Sequence, residues 1–221
     1  TSSTTGAHSI QIEDTSSYNV IGGLAAGELN LISGGNRGIL IQGGQSFDNS
    51  VINNYIGIAI DGSSDLGNQS SGILLTGETH SNIISGNIIT ANSTDEAGIW
   101  MDNTHDNSIQ SNFIGTNADQ SAVLGNGDVG TFSGGIMIMS GSSGNMIGGT
   151  TPSEGNVIAN NNFGISLYSN TGSGNSFLSN YFYENSEMGI DIDADYSVLG
   201  NDNGDGDLGA NDLQNFPVLT S

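Results

Sequence analysis

The sequence predicts an all-β fold, a single-stranded right-handed parallel β-helix (a solenoid) of about six to seven coils. Three observations predict it: a Gly-led apolar string recurs along the chain, an asparagine string recurs between its copies, and one block repeats at a fixed offset. No segment carries a sustained helical stripe, and frequent Gly and Asn penalise helices. We expect coils over residues 1–200, followed by an acidic Gly/Asp loop and a C-terminal capping flap of the same domain over residues 201–221.

The first string reads Gly, Ile, any residue, an apolar residue, any residue. Apolar residues at a period of two are typical of a short strand that buries one face. Such a coil is too small to bury that face alone and needs neighbours stacked above and below it. Good copies begin at Gly38, Gly72, Gly98, Gly135, Gly164 and Gly189, with a weaker copy near His8.

The second string reads Asn, any, apolar, two of any kind, Asn, any, apolar, and lies between copies of the first. It begins at Asn49, Asn82, Asn107, Asn156 and Asn175, with a degraded copy from Asn30. A shift of 126 residues also places Asn19 on Asn145, Asn30 on Asn156, Gly38 on Gly164 and Asn49 on Asn175. We expect equivalent asparagines to stack at the bends and to hydrogen-bond along the stack. A β-sandwich gives no reason for such repeated turns, and a propeller blade needs roughly 40 residues.

Charge and composition limit the function. The chain has 23 acidic residues and one basic residue, Arg37, so nucleic acid and anionic lipid are excluded as partners. No apolar run approaches the ~20 residues of a membrane span. Without cysteine, neither a disulfide framework nor a thiolate metal site can form. The acidic surface suits neutral glycans, cationic partners or divalent cations, although solubility in salty water explains it equally well.

Several phrases resemble a known family: NVIGG, NLISGGNRGI, NNYIG, IGTNADQSAVLGNGD and GDGDLGANDLQNFPVL. They are similar to bacterial secreted proteins with right-handed parallel β-helix repeats, of the pectate-lyase-like and periplasmic-copper-protein-like kind. The resemblance spans nearly the whole chain and implies the fold and a secreted or cell-surface location. It leaves the function open, because that family contains polysaccharide lyases, hydrolases, epimerases and adhesins.

The residues two and four positions after each glycine should face outward. Four of these outward positions in succession carry large apolar side chains, which is not expected of a bare surface. We predict a binding stripe in which Trp100 and Tyr168 stack on sugar rings or anchor a partner. The alternative is that the loops 57–71 and 115–134 cover the row. The predicted ligand-binding residues are Leu40, Leu74, Trp100, Met137, Met139 and Tyr168.

Catalytic candidates are fewer. Asp191 and Asp193 alternate on one strand, and Asp102 falls in the same outward column as Asp193. Residues two apart on a strand lie ~6.5–7 Å apart, which glycoside hydrolysis admits. However, the Gly-His-Gly and Arg-x-Lys segments of β-helix polygalacturonases are absent, and a lyase would have Arg37 as its only cation other than histidine.

Arg37 takes the position of Phe163 under the 126-residue shift, which suggests a packed stem and a local ion pair. His80 and His105 occupy matching turn sites on consecutive coils and are expected to be polar caps.

The segment NDNGDGDLGAND, residues 201–212, resembles a calcium loop. Oxygen ligands around a central glycine, here Gly206, are what Ca²⁺ prefers. An Asp replaces the usual final Glu, and no flanking helix is expected. The predicted calcium ligands are Asn201, Asn203, Asp205, Asp207 and Asp212.

Together these features favour a noncatalytic module of a larger secreted or cell-surface protein, which binds glycan or a surface protein and is stabilised by calcium. A polysaccharide-active enzyme (a glycoside hydrolase or lyase) is the alternative, and a structural spacer is a second one.

Overall fold

The structure is a computed structural model that describes residues 8–25, 27–92, 96–128, 131, 133–194 and 209–213. These residues form a parallel β-helix in which each coil contributes one strand to each of three parallel sheets. Sheet 1 has seven strands, and sheets 2 and 3 have six each. The prediction of an all-β stack of about six to seven coils is confirmed.

The strands are short, and successive strands fall on sheets 1, 2 and 3 in turn. In chain order they are β1 (His8–Ile12), β2 (Val20–Gly22), β3 (Leu31–Ile32), β4 (Arg37–Gln42), β5 (Ser50–Ile52), β6 (Tyr55–Ile56), β7 (Ile73–Thr76), β8 (Ile83–Ser85), β9 (Ile88–Ile89), β10 (Ile99–Asp102), β11 (Ser108–Gln110), β12 (Phe113–Ile114), β13 (Gly134–Met139), β14 (Met146–Gly148), β15 (Val157–Ala159), β16 (Phe163–Tyr168), β17 (Ser176–Leu178), β18 (Tyr181–Tyr183) and β19 (Ile190–Asp193). Two 3₁₀ turns, Pro152–Glu154 and Ala210–Leu213, complete the described elements.

The core is a column of stacked aliphatic side chains. In sheet 1, Ile73 pairs with Ile39 on one side and with Ile99 on the other. The residues one and three positions after each turn glycine belong to this core from β4 to β16, where they are fully buried. The predicted inward direction of these side chains is therefore confirmed. β-Branched isoleucine suits the pleated surface and fills the narrow lumen.

Three asparagine ladders run along the bends. In each ladder, the side-chain oxygen of one asparagine accepts hydrogen bonds from the backbone N–H and from the side-chain amide of its equivalent on the preceding coil. Ladder 1 contains Asn19, Asn49, Asn82, Asn107, Asn145 and Asn175. Ladder 2 contains Asn30, Asn54, Asn87, Asn112, Asn156 and Asn180. Ladder 3 contains Asn68, Asn92, Asn126, Asn161 and Asn185.

These ladders confirm the predicted stacking of asparagines and correct one detail. Copies of the second string lie at two different bends and not at one equivalent bend. The copy from Asn49 joins ladders 1 and 2, whereas the copy from Asn156 joins ladders 2 and 3. The string recurs at two bends because both bends need the same buried amide. A buried backbone N–H at a bend otherwise has no partner.

The 126-residue repeat is also structural. β2 and β14, which it relates, occupy the same sheet, as do β4 and β16. The match extends to a loop feature: the Glu28 carboxylate accepts a hydrogen bond from the Ala25 N–H at 2.8 Å, and the Glu154 carboxylate accepts one from the Thr151 N–H at the same distance. The chain therefore contains a duplicated block with preserved turns.

The C-terminal 3₁₀ turn closes the described end of the core. Ala210 is fully buried in the core cluster. The Asn211 side chain accepts a hydrogen bond from the Asn175 N–H at 2.9 Å and so continues ladder 1. The predicted flap, residues 213–219, lies outside the described residues apart from the backbone of Leu213.

Candidate functional site

The outward row of sheet 1 lies in the predicted column but is not open surface. Leu40, Leu74 and Met137 are absent from the core cluster, yet each exposes less than a tenth of its surface, at 4%, 7% and 2%. Their register is continuous, because Trp100 pairs with Leu74 on one side and with Met137 on the other. A row that faces away from the core and is still buried must be covered by other parts of the chain. Burial thus favours the alternative in which loops cover the row.

An ion pair forms part of that cover. The Arg37 guanidinium donates hydrogen bonds to both carboxylate oxygens of Glu96, one of them at 3.0 Å, and stands 5.8 Å from the centre of the Trp100 ring. The predicted ion pair of Arg37 is confirmed, and its partner lies two coils away. Trp100, Met139 and Tyr168 keep partial exposure. Their role in binding stays a prediction.

We expect the ion pair to make stability depend on pH. Burial of Glu96 opposes its ionisation, but hydrogen bonds from Arg37, Ser70 and Ser71 hold the pKa of Glu96 below its ordinary value of 4.5. A lowered folded-state pKa stabilises the protein above pH 4.5, and this stabilisation is lost as the pH falls through the folded-state pKa. Arg37→Leu should therefore cost about 1–2 kcal/mol at pH 7, and this cost should shrink as the pH falls below 4.5 and Glu96 becomes protonated.

Urea unfolding of the wild type and Arg37→Leu at pH 7, 5 and 3 measures this difference. Glu96→Gln is the matched control, because it keeps the shape of the side chain and removes the charge. A cost that stays the same at pH 3 would contradict the ion-pair explanation.

The candidate catalytic acids do not form an exposed pair in the described residues. Asp102 accepts a hydrogen bond at 3.3 Å from the hydroxyl of Thr76, which lies on the preceding coil. Three strand spacings separate β10 from β19, so Asp102 lies roughly 14 Å from Asp193, beyond the ~5–9.5 Å of paired glycosidase acids. Asp191 is 1% exposed, and Asp193 has left-handed backbone with φ 83°. Use of Asp191 and Asp193 in catalysis stays a prediction.

The predicted calcium ligands Asn201, Asn203, Asp205 and Asp207 lie outside the described residues. Asp212 is described: it is exposed and lies in a left-handed turn with φ 57°. Within the part of the chain that the structure describes, no cluster of three or more His, Asp or Glu side chains could hold a metal ion. Calcium binding by this segment stays a prediction.

A concave surface lies between two long loops. Loop A is residues 57–68, which follow β6, and loop B is residues 115–128, which follow β12. The coil between them, after β9, has only a short bend at Ala91. Because β6, β9 and β12 are adjacent in sheet 3, the loops stand about two strand spacings apart, or ~10 Å. Because the middle coil has a short bend where its two neighbours have long loops, a cleft lies between loops A and B.

The two loops close by the same hydrogen bonds. The Leu66 N–H donates to the Gly57 carbonyl at 3.2 Å, and the Leu124 N–H donates to the Gly115 carbonyl at 3.2 Å. In loop A, the Asp61 carboxylate accepts from Ser63 and Ser64, and these bonds lower the pKa of Asp61 to about 2.

In loop B, the Asp119 carboxylate accepts from the N–H and hydroxyl of Ser121 in the same way, which also lowers its pKa. Each loop is therefore an ordered turn held by its own aspartate.

Contacts across the gap fix the width of the cleft. The Asn117 side-chain amide of loop B donates to the Gly62 carbonyl of loop A at 3.0 Å. The N–H of Ala91, which lies on the middle coil at the bottom of the cleft, donates to the Leu124 carbonyl of loop B at 2.9 Å. The cleft has a volume of about 420 Å³, within the ordinary range for ligand sites. It is lined by Asp65, Gly67, Asn68, Gln69, Ala91, Val123, Leu124, Gly125, Gly127 and Asp128.

Loops A and B, expected from the sequence only as possible covers of the outward row, are alike in sequence. A shift of 58 residues places Ile56, Gly57, Asp61, Ser63, Leu66, Gly67 and Asn68 on identical residues of loop B and its preceding strand. This second repeat was the signal that could have revealed the cleft, because loops repeated on alternate coils must leave a gap between them.

The class of the protein follows from its sheets: three parallel sheets wound from one strand per coil define a parallel β-helix. The family model described as "Right handed beta helix region" matches residues 8–203, so the chain belongs to this right-handed β-helix family. Searches of curated proteins and of solved structures gave no match. No helix in the described residues is long and apolar enough to cross a membrane.

Proposed function

We propose that the chain is a noncatalytic module of a larger secreted or cell-surface protein and that it binds a neutral glycan in the cleft between loops A and B. The single observation that carries this proposal is the cleft itself, whose walls are ordered and whose lining is mainly polar. A glycan is a chain of hydroxyl groups, and carboxylates and amides bind hydroxyl groups by hydrogen bonds.

The lining suits such a ligand. Asp65 and Gln69 are exposed on the side of loop A, and Asp128 is exposed at the end of loop B. Val123 is 77% exposed and provides apolar surface for the C–H groups of a sugar ring. The two carboxylates disfavour acidic sugars, because like charges repel in a partly desolvated cleft.

Binding without catalysis is the reading that the acids favour. Asp102 is too far from Asp193 to form a catalytic pair, and Asp191 is buried. Arg37, the one basic residue of the sequence besides histidines, is engaged by Glu96. A lyase needs positive charge to neutralise a uronate carboxylate, and this ion pair leaves Arg37 poorly placed to supply it.

A glycan array followed by calorimetry tests the proposal. We expect neutral oligosaccharides to bind and polygalacturonate to be rejected. Replacing both Asp65 and Asp128 by alanine should weaken binding at least tenfold, because each carboxylate contributes charge-assisted hydrogen bonds. The matched control is Glu78→Gln, an exposed carboxylate on another bend, which should leave binding unchanged.

Two results would contradict the proposal: an array without any neutral glycan bound, which favours the spacer, or release of new reducing ends, which favours the enzyme. Unchanged affinity in the double variant would place glycan binding elsewhere, with Trp100 and Tyr168 as the next residues to replace.

A further inference from the structure

A row of apolar and aromatic side chains runs along the outer surface of sheet 3. Side chains alternate between the two faces of a strand, so Tyr55 faces outward before the buried Ile56, and Phe113 faces outward before the buried Ile114. Parallel pairing keeps these outward residues in continuous register along the whole sheet. The aromatic row, in order along the solenoid axis, consists of Leu31, Tyr55, Ile88, Phe113, Val157 and Tyr181.

The strands on this side of the solenoid carry no charge, although the chain has a net charge of −22. None of the described strands of sheets 2 and 3 contains Asp, Glu, Lys, Arg or His. In sheet 1, by contrast, Asp102, Asp191 and Asp193 lie within strands. An anionic partner is repelled by the chain as a whole, and a cationic partner finds no carboxylate on these strands. The aromatic row therefore suits an uncharged partner.

Three members of the aromatic row are rings, and they lie on alternate coils. Tyr55, Phe113 and Tyr181 belong to β6, β12 and β18, so neighbouring rings are two strand spacings, or ~9.6 Å, apart. Tyr181 is 55% exposed, and Ile88, between the first two rings, is only 4% exposed. Tyr55 and Phe113 are half-buried. A ligand that lies along the row therefore contacts the rings more than the buried isoleucine between them.

We propose that the aromatic row binds an extended, neutral, β-linked polysaccharide of the cellulose or chitin type, with the polymer running along the solenoid axis. Each sugar of such a polymer advances the chain by roughly one strand spacing, so rings two spacings apart meet every second sugar. A partly exposed ring packs its apolar face against the C–H groups of a sugar. The row shares no residue with the lining of the cleft, so this inference does not rest on the proposed function.

The shape of the aromatic row favours a linear polymer over a second copy of the chain. The row extends over five strand spacings, or ~24 Å, and strands of two or three residues make it at most ~10 Å wide. A strip of roughly 240 Å² is much smaller than the ~800 Å² that each partner buries in a stable protein interface. A single polysaccharide chain is long and narrow, as the row is.

Adsorption of the full chain to microcrystalline cellulose and to chitin beads tests the proposal. Replacing Tyr55, Phe113 and Tyr181 together by alanine should weaken adsorption at least about tenfold, because all three stacking contacts are lost. Tyr181→Ala alone, at the most exposed ring, should weaken it about threefold, whereas Tyr181→Phe keeps the ring and should adsorb like the wild type. The matched control is Tyr18→Ala, which removes a 72% exposed tyrosine outside sheet 3 and should leave adsorption unchanged.

The row and the cleft are tested separately. The double variant with alanine at Asp65 and Asp128 alters only the cleft and should adsorb like the wild type, and loss of adsorption there would assign the binding to the cleft. The proposal is overturned if the wild type does not adsorb, if the folded triple variant adsorbs equally well, or if high salt abolishes adsorption. A dimer in sedimentation equilibrium that dissociates in the triple variant would also overturn it, because the row would then be a self-association surface.

Discussion

Asn87→Ala is expected to destabilise the protein by about 3–5 kcal/mol, because it removes a fully buried inner rung of ladder 2. The Asn87 oxygen accepts hydrogen bonds from the backbone and side-chain N–H groups of Asn54, at 2.8 and 3.1 Å. Its amide donates to the carbonyls of Val51 and Ser85 and to the Asn112 side chain. Asn87 is fully buried, so water cannot replace these partners. Each buried group left without a partner costs about 1–3 kcal/mol.

The matched control is Asn30→Ala, at the exposed first rung of the same ladder. The Asn30 side-chain amide donates to Asn54, and no N–H group among the described residues donates to its own oxygen. We expect a cost of less than about 1 kcal/mol. Urea unfolding followed by circular dichroism gives both values, and nearly equal costs for the two variants would contradict a ladder that stabilises through its buried rungs.

Gly148→Ala should have an effect of similar or larger size, for a steric reason. Gly148 has φ +89°, and a Cβ atom there would lie 1.8 Å from the Leu178 carbonyl oxygen on the next strand of sheet 2. The strands cannot separate locally without breaking their shared hydrogen bonds. We expect a loss of more than about 4 kcal/mol, seen as a collapse of the melting temperature or of soluble yield.

Gly141→Ala separates crowding from backbone strain. Gly141 has φ +77°, close to the value at Gly148, but a Cβ atom there meets nothing within 4 Å. Gly141→Ala should lower the free energy of unfolding by only ~1–2 kcal/mol, which is the cost of placing an alanine in the left-handed backbone conformation. If Gly148→Ala and Gly141→Ala have the same melting temperature, the left-handed conformation alone explains the loss of stability and the close approach of the strands does not.

Much of the fold was predictable because the solenoid repeats its requirements. Each coil needs two inward apolar residues on sheet 1 and an amide at the bend, so Ile39 and Asn82 have recognisable equivalents along the chain. Ladder 3 was largely missed. Asn68 and Asn126 end loops A and B, whereas Asn92 ends a short bend, and this variable spacing hides their equivalence in the sequence.

The site was less predictable, for a different physical reason. Side-chain direction follows from strand periodicity, so the outward direction of Leu74 and Met137 could be predicted. Their burial depends on the path of other segments over the strands, which periodicity does not encode. The cleft depends likewise on the middle coil, which has only a short bend at Ala91, and in the sequence only the 58-residue repeat of the two flanking loops indicates it.

The asparagine ladders all run in one sense. In every rung the amide N–H points toward the next coil, from Asn19 to Asn49 at the start and from Asn161 to Asn185 near the end. The aligned amide dipoles add, as peptide dipoles do in a helix. Each ladder thus carries a dipole along the axis of the solenoid, with its negative end toward the coil of Asn19 and its positive end toward the coil of Asn185. The ladder dipoles add to the field of the −22 net charge, so a charged molecule meets fields of unequal strength at the two tips.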